Sequence, residues 1–415
     1  MNEQTHSARF EKIPAAMHIL GVGIAVSLLG DGTLMTVLPQ ARFSSELSLT
    51  LSMVAWALSI NRLVRLGFNP LAGNVLRILP RRKVLISALI LGAVSTWICS
   101  LGGLSWVLLG RILWGLAWAG LWVGGSSVVL DLSRNTTRGK LSGLFQMWFF
   151  LGVGTSSLIG SWLADHLGLV GSLQISAVVM VAGAAFWFWL LPETGEHDPD
   201  RPQEASPRWS RSTVHAILIP GVPMFVNRFL FAGVLAATGI LWLETYVGDG
   251  VWFSGGFISL ATLAGIFAAL KTLLGLPSST LTGRFSDSLN ARWPVMATVL
   301  ALGAAGCLLM SLRSFPLALT GFLLSSPTSA GVQTLLTALV GDKAPLDARE
   351  RILGALFSIG DLGSTLGPLA GLTWVQLGSI STLYRAAGLL LVGSVGYALL
   401  IARRVQQEGN ATTSG

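Results

Sequence analysis

Long apolar runs separated by short polar breaks organise this chain. A helix crosses the hydrocarbon layer of a bilayer in roughly 20 mostly apolar residues. Twelve runs meet that requirement, at 17–39, 48–72, 84–102, 105–130, 143–164, 170–191, 220–243, 256–276, 294–313, 316–340, 352–377 and 383–402. Some breaks, such as Leu101 to Ser105, are so short that the helices they join must be antiparallel neighbours. The longest internal polar stretch is rich in Pro, Asp, Glu and Arg, with six runs before it and six after. The pattern predicts a six-helix bundle over 1–191, a flexible linker over 192–212, and a second six-helix bundle with a short tail over 213–415. The first 16 residues are polar and carry Arg9 and Lys12, and no small-residue cleavage site follows the first run. That run is expected to be a retained span rather than a signal peptide.

Composition supports the membrane reading. Of 415 residues, 52% are hydrophobic and 11% charged, with 49 Gly and 15 Trp. A soluble domain carries about a quarter charged residues, and the mean hydropathy here is +0.68. These values exclude a disordered chain, a coiled coil and a disulfide framework. The net charge is +8, but the basic residues form no continuous face of the kind that binds nucleic acid. They cluster instead in loops on one predicted side, at Arg81-Arg82-Lys83, Arg134/Arg138/Lys140, Arg349/Arg351 and Arg403-Arg404. The positive-inside rule then places both termini in the cytoplasm of a multi-pass plasma (inner) membrane protein. Cys99 and Cys307 lack metal-ligand spacing and lie half a chain apart, so neither a metal site nor a disulfide is expected. No Walker loop, His-Glu-x-x-His or dinucleotide fingerprint is found, which argues against an enzyme, a cofactor or direct ATP drive.

The two halves repeat one another. Asp131, Arg138, Gly143, Gly152 and Gly160 correspond to Asp342, Arg349, Gly354, Gly363 and Gly371 at a constant displacement of 211. Gly73 stands to Gly283 as Arg77 stands to Asp287, displaced by 210. A duplicated six-helix unit follows, with substrate expected at the interface of the copies near mid-membrane.

These motifs carry a family resemblance. The stretch Gly283-Arg-Phe-Ser-Asp287-Ser-Leu-Asn290-Ala-Arg292 is similar to the loop signature Gly-x-Leu-Ala-Asp-Arg-x-Gly-Arg-Lys of the major facilitator superfamily. The first-half copy, Gly73-Asn-Val-Leu-Arg77-Ile-Leu-Pro80-Arg81-Arg82, has Arg77 in place of the acid and Pro80 in place of the second glycine. Arg111-x-x-x-Gly115-x-x-x-x-Gly120 is similar to the family's fourth-helix motif, and Leu191-Pro192-Glu193-Thr194 to its sixth-helix close. The pattern Gly363-x-x-x-Gly367-Pro368-x-x-Gly371 resembles the antiporter motif, but in the eleventh span; the fifth has Gly152-x-x-x-Ser156-Ser157-x-x-Gly160. Over essentially its whole length the chain resembles that superfamily. The resemblance implies an all-α membrane fold of twelve transmembrane helices in two pseudo-symmetric bundles. It also implies gating loops built on Gly73, Arg77, Arg81, Asp131 and Arg138 and on Gly283, Asp287, Arg292, Asp342 and Arg349.

Ionised groups at membrane depth cost a few kcal/mol each on insertion scales, so the remaining candidates are few. Asp31, beside Gly30 in the first span, is either a proton-titrating carboxylate or a permanent ion partner for Arg62, Arg65 or Arg111. Asp361 in the eleventh span has the same two readings. Arg62 and Arg65, three apart, share a helix face with Asn61 and Asn69, and that stripe must avoid lipid. Arg65 and Asn69 are read as caps at the inner gate, and Arg62 as the deeper, substrate-facing group. Asn61, Gln146 in the fifth span, and Ser326 and Thr328 flanking Pro327 in the tenth complete the substrate-binding set. Asp31, Arg111 and Asp361 form the proton-coupling set. Arg228 and Lys271 are read as snorkelling groups, Lys271 alternatively as neutralising an acid, and the Trp-rich runs mainly as packing and interface anchors.

The reading is a secondary transporter that works as a monomer in the lipid bilayer, alternating access to a small-molecule site. Proton-coupled export of a small organic solute is the first expectation, with Asp31 and Arg111 as the coupling pair. Import of organic anions through Arg62 and Arg111 is the second. A membrane scaffold or sensor that kept the fold without transport is the third.

Overall fold

The computed structural model describes residues 14–133, 137–194, 211–289, 291–343 and 349–413. Asn290 and most of the expected linker fall outside them, as do the surroundings of Gly73 and the side chains of Arg77, Arg138 and Arg349.

The first expected span is two helices, α1 (Ala15–Ser27) and α2 (Leu29–Val37), joined through Leu28. The break precedes Gly30-Asp31-Gly32, where two glycines lower helix propensity around the acid. A short helix that the apolar pattern did not predict, α3 (Ala41–Glu46), precedes α4 (Leu51–Ile78), which Thr50 caps by accepting from the Met53 amide. The third and fourth spans are α5 (Arg81–Cys99) and α6 (Leu104–Leu132). α7 (Arg138–Leu190) holds the fifth and sixth spans, which part at Gly168, where φ is 75°. The Leu169 amide freed by that break donates to Glu46 of α3 at 2.6 Å.

In the second half, α8 (Arg211–Asn227) runs through a π-helical stretch, Arg228–Val234, into α9 (Leu235–Val247). A hairpin of β1 (Gly250–Phe253) and β2 (Gly256–Ser259) follows, with Trp252 opposite Phe257. Its turn residues Ser254 and Gly255 both have positive φ, which suits a tight hairpin. The eighth span was expected to begin at 256, but these four residues pair as a strand and α10 (Leu260–Ser288) begins after them. Then come α11 (Arg292–Met310), α12 (Phe315–Ser325), α13 (Thr328–Lys343), α14 (Arg349–Leu377) and α15 (Ile380–Thr413). Pro327 separates α12 from α13, as the sequence predicts, because its ring removes a donor and crowds the preceding turn.

Nine of the described helical runs are long and apolar enough to cross a membrane by length and composition. One of these contains both the fifth and sixth spans. The second span is missing from the nine because its Asn61-Arg62-x-x-Arg65 stripe dilutes it, and the tenth because Pro327 cuts it into short pieces. The chain is an integral, multi-pass membrane protein.

The duplication is visible in the packing. In the first half α7 lies against α1 and α2; in the second α14 lies against α8 and the π-helical stretch. Corresponding glycines make both contacts possible. A Cβ on Gly152 would come within 2.6 Å of the Ala25 backbone, and one on Gly363 within 2.6 Å of the Phe225 carbonyl oxygen. The antiporter-like motif of α14 is thus a surface for close backbone approach, with Gly367 facing Gly233. Replacing Gly367 by Ala should cost about 1–3 kcal/mol through overpacking, read as a lower melting temperature of the purified protein. Gly354→Ala, where a Cβ meets open space, should leave the melting temperature at least as high.

Candidate functional site

Between the halves lies a cavity of about 1080 Å³. Arg81, Asp131, Arg292 and Asp342 mark the basic end of the molecule. The cavity wall continues toward that end through Asn69, Gln146, Gln333 and Gly354. At the opposite end the halves are tied together. The Asp165 carboxylate on α7 accepts from the Thr262 amide at 2.9 Å and from the Ser259 and Thr262 hydroxyls, at the first turn of α10. Gln376 on α14 donates to Ser52 on α4 at 3.0 Å. An acid at a helix N-terminus meets free amides and the positive end of the helix dipole, so Asp165 is a cap supplied by the other half.

Asp31 lines the cavity and its Oδ1 lies 2.6 Å from Arg111 Nη2. Arg111 is buried behind it, with Nε donating to the Ala57 carbonyl at 3.0 Å. The expected pair therefore forms, with the acid in front and the cation in the protein. Arg65 bridges the halves to Asp361 on α14 at 2.9 Å, and Arg62 Nη1 donates to the Ser364 carbonyl at 2.8 Å. Arg65 is thus a cross-half ion partner at mid-helix rather than a loop cap, and Asp361 is its acid. Asn61, Gln146 and Ser326 reach the cavity wall as expected.

Thr328 does not. It is fully buried, packs on Gly303 and donates to the Val299 carbonyl at 3.4 Å. The helix break at Pro327 turns Ser326 to the cavity and Thr328 to the packing between α13 and α11. Two cations read as snorkelling groups, Arg228 and Lys271, instead line the cavity. Arg228 begins the π-helical stretch. Lys271 donates to the Phe231 carbonyl at 3.2 Å and sits over that ring, 5.7 Å from its centroid. Among the described residues, neither has a carboxylate within ion-pair distance. The expected span 256–276 puts Lys271 five residues from an end, whereas α10 runs on to Ser288 and leaves it eleven residues from one end and seventeen from the other. The Trp run of α6 also faces the cavity, at Trp114, Trp118 and Trp122.

At the basic end each half has its own clamp. Arg81 Nε pairs with Asp131 at 3.0 Å, and Arg292 Nε with Asp342 at 2.8 Å. The two pairs are related by the same displacement of 211, so one ion pair occurs twice. Arg292 also pairs with Asp287. Where the first half has Arg77 instead of that acid, Arg81 donates to the Thr194 carbonyl at 2.9 Å and Glu193 accepts from the Arg82 amide. Among the described residues, no three His, Cys, Asp or Glu side chains gather as a metal site, and Cys99 and Cys307 are free thiols.

The sequence profile of the Major Facilitator Superfamily matches residues 20–368 and again 258–415. The chain belongs to that superfamily. Within it, the chain is 29% identical over 209 residues to the multidrug resistance protein MdtH of Cronobacter sakazakii, covering 50% of this chain and 48% of MdtH. It thus spans about half the length of that relative. It is 25% identical over 389 residues to the glucose-6-phosphate exchanger SLC37A2 of Bos taurus, covering 80% of this chain and 76% of the exchanger. Among solved structures, an inward-facing, unoccupied bacterial homologue of the human lysosomal transporter Spinster superposes with a TM-score of 0.71 at 14% identity. That match covers 95% of this chain and 98% of the other. This superfamily member is a transporter rather than an enzyme.

The Asp165 cap should hold the end opposite the basic clusters shut. Removing it with Asp165→Ala takes away charge-assisted hydrogen bonds worth roughly 1.5–3 kcal/mol each. Labelling of a Ser157→Cys thiol by an impermeant maleimide added from that face should rise about tenfold or more. Unchanged labelling would show that the cap is not the latch.

Proposed function

We propose that this transporter moves a small organic anion together with protons, exposing the central cavity alternately to the two sides of the membrane. The observation that carries this reading is the charge balance of the cavity wall. Asp31 is held by Arg111 and Asp361 by Arg65. That leaves Arg62, Arg228 and Lys271 on the wall without a carboxylate in ion-pair range among the described residues. Uncompensated cations at membrane depth are costly, and an anion held by charge-assisted hydrogen bonds offsets them. The name of one relative, a glucose-6-phosphate exchanger, gives a substrate of the same charge class.

The geometry also suggests the sign of coupling. Protonating Asp31 removes a negative charge from the wall and deprives Arg111 of its partner, so the cavity holds an anion more tightly. Linkage is reciprocal, and a bound anion favours the protonated carboxyl in return. Proton and anion then travel in the same direction, and an inward proton gradient drives uptake. Export by proton exchange, the first expectation from the sequence, needs a ligand that the proton displaces, and a cation-rich cavity is poorly suited to one. Uptake of organic anions is therefore the reading favoured here, above a scaffold that would have no use for an open charged chamber.

In this proposal Asp31 and Arg111 couple protons, while Arg65–Asp361 joins the halves and yields to substrate. Arg62, Arg228, Lys271, Asn61, Gln146 and Ser326 contact the solute. The basic end faces the cytoplasm from the plasma (inner) membrane, and one chain suffices as the working unit.

Proteoliposomes containing an internal pH dye test it with glucose 6-phosphate and aryl sulfonates as probes. Anion entry should acidify the lumen, and Asp31→Asn should abolish uphill accumulation while preserving exchange of anion for anion. Lumenal alkalinisation on substrate entry, or unaltered coupling in Asp31→Asn, would overturn the proposal.

A further inference from the structure

Resting on the anion reading, we infer that the substrate is amphipathic, a flat aromatic body carrying one acidic group. The body lies against Trp122 and Phe149 of the first half, and the acid reaches Lys271 of the second. The aromatic wall begins with Trp114, Trp118 and Trp122, four residues apart and so on one face of α6. Successive ring centroids are 5.8 and 5.7 Å apart, and Phe149 on α7 stands 5.8 Å from Trp118 and 5.2 Å from Trp122. The first two indoles are almost fully buried and serve as backing. Trp122, Phe149 and the adjacent Phe150 are only half-buried and line the cavity. Part of each of these rings is exposed on the cavity wall, and an aromatic ring of the ligand covers that part by offset stacking.

The cation lies close to this wall. Gly154 on α7 packs against α10, where a Cβ on it would lie 3.8 Å from Ala269 and 3.9 Å from Thr272. Phe150 is one helical turn, about 5–6 Å, from Gly154, and Lys271 precedes Thr272. The α7–α10 crossing thus sets the backbone that carries Lys271 near Phe150, and both side chains line the one cavity. Lys271 spends one donor on the Phe231 carbonyl and has two more. An aromatic body without an acid leaves that ammonium uncompensated, and a small anion without a body leaves the wall uncovered. A ligand with both parts touches both halves at once, as a solute must if its binding is to bias their relative positions.

Equilibrium dialysis of the full chain in nanodiscs, with empty nanodiscs subtracted, tests this with three probes: 2-naphthalenesulfonate, methanesulfonate and uncharged 2-naphthalenemethanol. Naphthalenesulfonate should bind at least tenfold more tightly than either of the others. Trp122→Leu and Phe149→Leu should each weaken naphthalenesulfonate at least fivefold and leave methanesulfonate unchanged, whereas Trp122→Phe retains affinity. Lys271→Gln should weaken both sulfonates, with Lys271→Arg restoring them. Equal affinity for the two sulfonates, or a preference that survives both Leu variants, overturns the aromatic seat and leaves the anion reading standing. Naphthalenemethanol binding as tightly as naphthalenesulfonate, with Lys271→Gln silent, overturns the anion reading itself. No binding of any probe overturns both.

Discussion

A charge placed in the low-dielectric interior of a membrane protein must have a counter-charge or water close by, and this constraint organises the molecule. Every carboxylate at depth among the described residues answers to it. Asp31 meets Arg111, and Asp361 meets Arg65 across the interface of the halves. Arg111, the most buried of these groups, spends a further donor on the backbone, as a guanidinium with five N–H groups can. Arg62, Arg228 and Lys271 have no carboxylate within ion-pair distance among the described residues, and all three line the open cavity.

Duplication explains why the halves resemble one another, and the departures from it show what each half is for. The ion pair at the basic end recurs at a fixed displacement, as do the glycines that let the fifth and eleventh spans approach their partners. Asp287 has no counterpart in the first half, where Arg77 stands, and the irregular segment at Glu193 and Thr194 supplies the acceptors instead. The central charges are not duplicated. Arg111 and Asp31 belong to the first half, Lys271 and Arg228 to the second, so the two walls of the cavity offer different chemistry.

Much of this was legible in the sequence. Span count, the two-half arrangement of apolar runs, the break at Pro327 and the Asp31–Arg111 pair follow from apolar periodicity, proline chemistry and the scarcity of buried charge. What escaped has definite physical causes. The π-helical stretch depends on an extra residue per turn that no local pattern announces, and it sets which way Arg228 points. Thr328 was assigned to the cavity because it neighbours a helix break, yet one residue's difference across that break turned it into the packing layer. The hairpin at 250–259 replaced the start of a span because Ser254 and Gly255 accept positive φ, while its aromatic residues read equally well as membrane helix. Side-chain direction, rather than element type, was the missing quantity.

The distribution of polar contacts bears on how the halves move. Arg81 with Asp131, and Arg292 with Asp287 and Asp342, join helices within one half and leave each bundle rigid at its basic end. Polar contacts between the halves are placed differently. They are hydrogen bonds and ion pairs at mid-depth and at the opposite end, made by Arg62, Arg65, Asp165 and Gln376. When that end opens, water can take the place of each partner lost by Asp165 or Gln376, and an anionic solute can take the place of Asp361 on Arg65. The charge-assisted links are worth roughly 1.5–3 kcal/mol each, and apolar packing reinforces them, since one buried cluster contains residues of both halves. In the proposed cycle the two bundles rock about the central site, and cavity charge biases that motion as far as it interacts differently with the two states.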